Sequence, residues 1–421
     1  MSVGIVGAGI TGLALTHYLR ERGVDAVAFE ATDSPGGVIR STRVDGRVLD
    51  HGPQRTRLTP AIEELVDACG LRDDLLVADD DLPLYVYVDG RLRPVPFTPR
   101  EFLSTDLLSV RGKLRLLAEP LTEGARDDET AGEYFRRKFG AEAYHNLVEP
   151  LFGGIYGSDP MEMPGRYALD TVERMEQSGS LVRAALNRVI EGGERPPPIS
   201  FADGMAQLPQ AIYERNADRV ALDTPVDRIV AEDSGYRLET AAGDERVDHV
   251  VVTTRADVAA GLLADVDAES ARALRRLYYN PLAYVHLVSE AAPAGYGYQV
   301  RHDEPLRTLG VTWNDSLFDR DGVYTCFLGG MENPGMVDRS ERELGRIAAT
   351  EFEDVLGVSA EVLNVTRHQR GIPAYDGSWT AMEEVDLPDG LTLATNYTGR
   401  MGVPGRVREA KRLAETFATT D

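Results

Sequence analysis

Val3-Gly4-Ile5-Val6-Gly7-Ala8-Gly9-Ile10-Thr11-Gly12, continued to Arg22 and on to Ala26-Val27-Ala28-Phe29-Glu30, decides the fold of this 421-residue chain. An apolar run, a glycine turn, a helix with Leu15, Tyr18 and Leu19 on one face, and a second apolar run read as strand, turn, helix, strand. Gly23 fits the left-handed stop that ends many helices. The spacing G-x-G-x-x-G in this context is a dinucleotide cradle. Gly7 makes the tight turn, Gly9 lets backbone approach a pyrophosphate, and Gly12 lets helix and strand pack closely. The helix start around Ile10 and Thr11 offers free N–H groups and about half a positive charge to phosphate. Glu30, ending the second strand, can accept from a ribose hydroxyl and would repel a 2′-phosphate.

Composition narrows the partners. Forty-five Lys and Arg against 69 Asp and Glu leave a net charge of −24, which repels nucleic acid. Lys113, Lys138 and Lys411 are the only lysines, so 45 − 3 = 42 of the basic residues are arginines. Few lysines and many acids suit work at molar salt, where the Debye length shrinks to about 3 Å, and a halophilic source is expected. No run of 18 apolar residues is present, so no membrane span is expected. The first strand begins at Val3 with no leader before it, which points to a cytoplasmic protein. Peripheral membrane contact stays open. Cys69 and Cys326 form no disulfide framework. The seven histidines show no ligand spacing, so no metal is expected.

Farther along, Tyr85 to Val88, Asp89-Gly90 and Leu92 onward read as a hairpin. Residues 99–190 read as helical, with Leu151 to Gly157 taken as a glycine-rich loop between helices. Glu194 to Pro198 reads as a linker. Strands are expected at 219–222, 226–229, 236–238 and 249–252. Residues 276–332 are strand-rich, and a helix follows at 340–356. Leu391 to Ala394 is a last strand, leading through a glycine turn into a helix at 405–418.

The segment after Glu30 goes beyond a generic dinucleotide motif. Pro35-Gly36-Gly37-Val38-Ile39-Arg40-Ser41, then Leu49-Asp50-His51-Gly52-Pro53, resembles the extended FAD motif of amine-oxidase-like flavoproteins. Gly36 and Gly37 permit close backbone approach, and Arg40 and Arg43 are candidates for a phosphate. With Arg57, Asp89 to Pro96 and Glu133 to Gly140, the pattern is similar to that of protoporphyrinogen oxidases and coproporphyrinogen-oxidising relatives. Glu149-Pro150-Leu151-Phe152-Gly153-Gly154-Ile155-Tyr156-Gly157-Ser158-Asp159-Pro160 resembles that family's most distinctive segment. Phe201 to Met205 leads to Val226, at the position that meets adenine through its backbone. Asn396-Tyr397-Thr398-Gly399-Arg400-Met401-Gly402-Val403 matches its last flavin-binding turn.

This resemblance implies an α/β fold: a Rossmann-like FAD-binding domain with an inserted α+β substrate domain, made of a mixed sheet and a helical subdomain. The FAD-binding pieces would be 1–75, 196–256 and 376–421. The sheet domain would be 76–98 and 257–375, and the helical subdomain 99–195. It implies non-covalent FAD, a tetrapyrrole substrate losing hydride to the flavin, and dioxygen as acceptor. Gly153, Gly154, Tyr156, Tyr397 and Arg57 are the substrate-pocket candidates; Tyr278 and Tyr279 also suit a flat substrate. No general base stands out. Leu84 stands where several relatives carry an arginine thought to hold a propionate, so Arg55, Arg57 or Arg93 would have to replace it. Arg400 stands where glycine is usual. Flavin amine oxidases and polyene desaturases share the frame, although the run Pro281 to Val288 lacks the amine-oxidase lysine. A flavin-free GTPase-chaperone protein is the rival from another class.

Overall fold

The computed structural model describes residues 1–126, 128–168, 180–190, 195–399 and 401–419. The chain divides into two compact units. One comprises Met1–Ala78, Pro196–Leu277 and Thr380–Asp421, and the other Asp79–Arg195 and Tyr278–Trp379.

The first unit is built on a parallel sheet. Its strands are β1 (Ser2–Val6), β2 (Asp25–Phe29), β3 (Val220–Ala221), β4 (His249–Val252) and β5 (Leu391–Leu393), in the order β3-β2-β1-β4-β5. Every pairing is parallel. This is the doubly wound order, which places ligands outside the carboxyl ends of the strands. Two helices, α1 (Ile10–Glu21) and α2 (Val403–Thr419), pack on each other. Every residue of α1 from Ile10 to Leu19 is buried, because α1 is covered by both sheet and α2. Val407, Ala410, Ala414 and Phe417 of α2 join Leu13, Leu15 and Leu19 in one core.

The first unit runs on to Leu277, because helices Ala256–Leu262 and Ala268–Leu274 pack on each other and the first of them also packs on strand Val226–Ala231. Their short alanine-rich sequences carry little periodicity.

The second unit holds a seven-stranded, mostly antiparallel sheet. Its order is Glu361–Pro373, Tyr279–Val288, Val323–Gly329, Thr308–Thr312, Gly297–Val300, Leu84–Val88 and Arg91–Pro94. The hairpin at 84–94 has Asp89 and Gly90 at φ 52° and 74°, the left-handed pair that a two-residue turn needs. Helix Glu341–Leu356 covers one face with Leu344, Ile347, Ala348 and Phe352.

The rest of the second unit is helical. Helix Ala131–Phe139 is closed by a capping box of Thr130 and Glu133. One of the three lysines, Lys138, is buried there against Glu119 at 2.9 Å. Burial pushes the Glu119 carboxyl up. Hydrogen bonds from Ser180, Lys138 and the Val182 and Leu181 N–H groups outweigh that and carry it below its ordinary value.

The glycine-rich stretch at 151–157 is not a loop. Glu149–Tyr156 is an α-helix, started by Pro150, preceded by a π-turn at Tyr144–Val148 and ended by left-handed Gly157. Glycine costs a helix about 1 kcal/mol relative to alanine, but a Cβ on Gly154 would lie 1.7 Å from the Gln299 side chain. Packing against a distant strand explains the residue.

Candidate functional site

The glycine turn forms as its spacing predicts. Gly7 sits at φ 103° and its N–H donates to the Phe29 carbonyl at 2.8 Å. A Cβ on Gly12 would stand 2.0 Å from the Gly7 carbonyl oxygen, so only glycine lets α1 leave the turn at this angle. Gly9 caps α1 without a side chain, and the first intrahelical bond runs from Leu13 N–H to Gly9 at 2.9 Å. The N–H groups of Ile10, Thr11 and Gly12 therefore have no partner within the helix. A Cβ at Gly9 would meet nothing within 4 Å, so the space before these donors is open. A pyrophosphate fits such a cradle on chemical grounds, as an anion facing a helix N-terminus.

Glu30 stands beside the cradle and also braces it. One carboxylate oxygen accepts from Ala8 N–H at 2.9 Å, and the other accepts from Thr32 N–H and hydroxyl at 3.0 and 2.9 Å. A carboxylate has about four lone-pair sites, so acceptor capacity remains for a ribose. Val226 is tied to this corner. Glu30 N–H donates to Ala221, Thr224 N–H donates to Glu30, and Asp223 N–H donates to Thr32. The segment that leads to the strand starting at Val226 is thus bonded directly to Glu30 and Thr32.

The second glycine pair closes on the first. Gly36 N–H donates to the Ala8 carbonyl at 2.8 Å, and Gly36 bridges Gly9. A Cβ on Gly37 would lie 3.4 Å from the Gly9 Cα. Gly52, just before Pro53, needs its missing side chain, since a Cβ would stand 2.1 Å from the Val38 carbonyl oxygen. Val38 is 58% exposed at the tip of this turn. The Arg40 side chain is exposed and donates to the Gly37 carbonyl at 3.0 Å. The Ser41 hydroxyl donates to Asp50 at 2.5 Å, and Met205 and Ala206 N–H groups donate to Asp50 and Ser41. That network joins the segment near residue 40 to the segment near 205.

The carboxyl-terminal turn reaches the same edge of the same sheet. It leaves β5, whose neighbour β4 also pairs with β1. Thr395 N–H is held by the Thr398 hydroxyl at 2.9 Å. The buried Arg406 guanidinium donates to the Thr395 carbonyl and pairs with Glu409. Asn396 is half-buried and Met401 partly exposed in this turn, and Gly402 precedes Val403, the first residue of α2. Gly7 to Gly12, Glu30, Gly36 to Val38 and Met401 to Val403 therefore all lie at the carboxyl end of one parallel sheet.

Other expected site residues have partners within the protein. Arg43 pairs with Asp203 and donates to the Gly46 carbonyl, which answers its charge without phosphate. Tyr397 is 1% exposed and its hydroxyl donates to the Thr254 carbonyl at 3.2 Å, so it packs beneath the turn and lines no open pocket. Arg57 donates to the Pro196 carbonyl at 2.9 Å. Arg93 pairs with Asp89 at 3.0 Å and bonds the Asp106 carbonyl. Arg400 and Glu194 lie outside the described residues.

Gly153, Gly154 and Tyr156 belong to the second unit. Gly153 and Gly154 border a cavity of about 150 Å³ there. Tyr156 stacks edge-on with Tyr375 at 5.5 Å. Tyr278 is 45% exposed, whereas Tyr279 is buried. His302 and Glu332 line the same cavity, and with Asp159 they form a group that sequence patterns do not show, with ligand atoms within 4.8 Å of one another. They are far apart along the chain, so no spacing signal reveals them.

Comparisons with known proteins agree with this geometry. The chloroplastic protoporphyrinogen oxidase of rice, Oryza sativa subsp. japonica, is 29% identical over 98% of this chain and 88% of its own length. Protoporphyrinogen oxidase 1 of Arabidopsis thaliana is 30% identical over 81% of this chain and 71% of its own. A solved structure from Exiguobacterium sp. 255-15, provisionally assigned as a protoporphyrinogen oxidase, superposes with a TM-score of 0.81 at 26% identity. The match covers 100% of this chain and 99% of that one. The model of the flavin containing amine oxidoreductases matches residues 10–416, and the chain belongs to that family.

Proposed function

We propose that this protein is an FAD-dependent oxidase of a porphyrinogen, either protoporphyrinogen IX or coproporphyrinogen III, with dioxygen as final acceptor. Bound FAD, held without a covalent link, supplies hydride acceptance from the reduced tetrapyrrole and onward transfer of two electrons to dioxygen. The N–H groups at the start of α1 hold the pyrophosphate, Glu30 holds the adenosine ribose, and Gly36 and Gly37 let backbone lie against the cofactor. The start of α2 at Val403 presents its positive end where negative charge develops on the flavin.

The observation that carries this reading is the extent of the likeness. Named porphyrinogen oxidases match through both units at 25–30% identity, among them the coproporphyrinogen III oxidase of Bacillus subtilis over 88% of this chain. A putrescine oxidase shares the fold at 17% identity. Leu84 begins a strand of the second unit and offers a substrate carboxylate no partner.

The decisive measurement is anaerobic bleaching of the bound flavin. Protoporphyrinogen IX or coproporphyrinogen III should reduce it in a single turnover, and a primary amine or a polyene should not. Reduction by the amine alone would overturn the proposal in favour of an amine oxidase.

No helix among the described residues is long and apolar enough to cross a membrane. We read peripheral membrane contact from helix Val110–Leu117 and its surroundings. Leu103, Val110, Leu114, Leu117 and Leu121 are 51–89% exposed, with Arg111, Lys113 and Arg115 on the same helix. An apolar stripe bordered by cations suits the lipid interface. Flotation with liposomes should be lost on Leu114→Ser with Leu121→Ser, and flotation unaffected by that pair would remove this reading.

A further inference from the structure

We propose that Asp159, His302 and Glu332, whose ligand atoms lie within 4.8 Å of one another, bind a divalent metal ion of the zinc class. The three side chains come from three separate segments. Asp159 caps the turn Pro160–Glu162, spending one oxygen on Met161 N–H at 2.8 Å. His302 follows strand Gly297–Val300, and Glu332 follows strand Val323–Gly329. His302 Nε2 and Glu332 lie 2.7 Å apart.

These segments are fixed to one another by backbone. Met331 N–H donates to the Gly157 carbonyl at 2.7 Å. Asn280 Nδ2 donates to the same carbonyl at 2.9 Å and to the Ser158 hydroxyl at 2.7 Å. Glu332 and Asp159 therefore flank a hydrogen-bonded junction, so the site needs little ordering on binding.

The surrounding charge favours a cation. Glu149 and Glu332 are carboxylates lining one cavity, and Asp159 stands with Glu332 in the ligand group. Arg301 and Arg307 border it but are spent elsewhere, on Asp89 and Glu304 and on Glu351. Among the described residues neither Asp159 nor Glu332 pairs with an arginine or lysine. Burial pushes the Glu149 carboxyl up, with the positive field of His145 and His302 only partly opposing it.

One imidazole with two carboxylates and an open position suits zinc or its neighbours. Magnesium and calcium prefer oxygen alone. Such an ion would fasten the end of helix Glu149–Tyr156 to the sheet of this unit. The inference does not rest on the substrate reading.

The test uses full-length, FAD-loaded protein stripped with EDTA and titrated calorimetrically with zinc chloride. One equivalent should bind saturably, and magnesium chloride should give no such isotherm. Cobalt chloride should develop visible absorption up to one equivalent. His302→Ala should abolish both signals while far-ultraviolet dichroism and flavin content stay the same. No saturable zinc binding, or binding undiminished in His302→Ala, overturns the site.

Discussion

Two glycine-rich stretches do different work in this molecule. In Gly7 to Gly12, the tightest constraint comes from within ten residues. Gly12 is needed because of the Gly7 carbonyl, whereas a Cβ on Gly9 would meet nothing within 4 Å. In Gly153-Gly154 the reason lies on another strand, where Gln299 fills the place of a Cβ on Gly154. Glycines of the first kind can be read from spacing. Those of the other kind imitate a loop signal, although the backbone is helical. A glycine thus reports a close approach, and sequence locates the approaching group only when it is local.

The contrast predicts a graded series. Gly12→Ala should do the most damage, because the obstacle is backbone and cannot rotate away. A cost of about 1–3 kcal/mol is typical for such overpacking. Charged to the bound state, it weakens FAD by roughly 10- to 100-fold, which fluorescence titration of the flavin-free protein would detect. Unchanged affinity would mean that the turn does not hold the cofactor.

Gly154→Ala meets a flexible side-chain end and should destabilise less, by about 1 kcal/mol in urea unfolding. Gln299→Ala should remove that cost, with a coupling of at least about 0.5 kcal/mol in the double-mutant cycle. Gly153→Ala should go the other way. Its nearest obstacle is the Ser158 carbonyl at 3.8 Å, so relief of glycine's helical penalty should stabilise by about 0.5–1 kcal/mol. If porphyrinogen turnover nevertheless falls in Gly153→Ala, the open face of this helix is where substrate approaches.

The same division runs through the rest of the chain. The hairpin at Asp89-Gly90, the core of α1 and the helix at 341–356 were all legible, because turn chemistry and helical periodicity act over a few residues. The longest strand, Glu361–Pro373, gave no such signal. It holds Asn364, Arg367, His368, Gln369 and Arg370 and lies at the sheet edge, where charge is tolerated and alternation is lost. The partners of Tyr397 and Arg43 were hidden for a related reason. An aromatic beside a flavin turn and an arginine beside a phosphate loop are plausible ligands until Thr254 and Asp203, far away in sequence, take them.

From its amino acids alone this protein could be assigned a nucleotide cradle, its ribose acid and the doubly wound frame around them. Those features arise from backbone sterics, helix dipoles and strand patterning, all of which act between near neighbours. Folding was needed to show that a glycine pair is helical, that Tyr397 is buried beneath its turn, and that Asp159, His302 and Glu332 converge. Such convergence depends on where distant strands end and which backbone bonds join them, and no spacing along the chain encodes that distance.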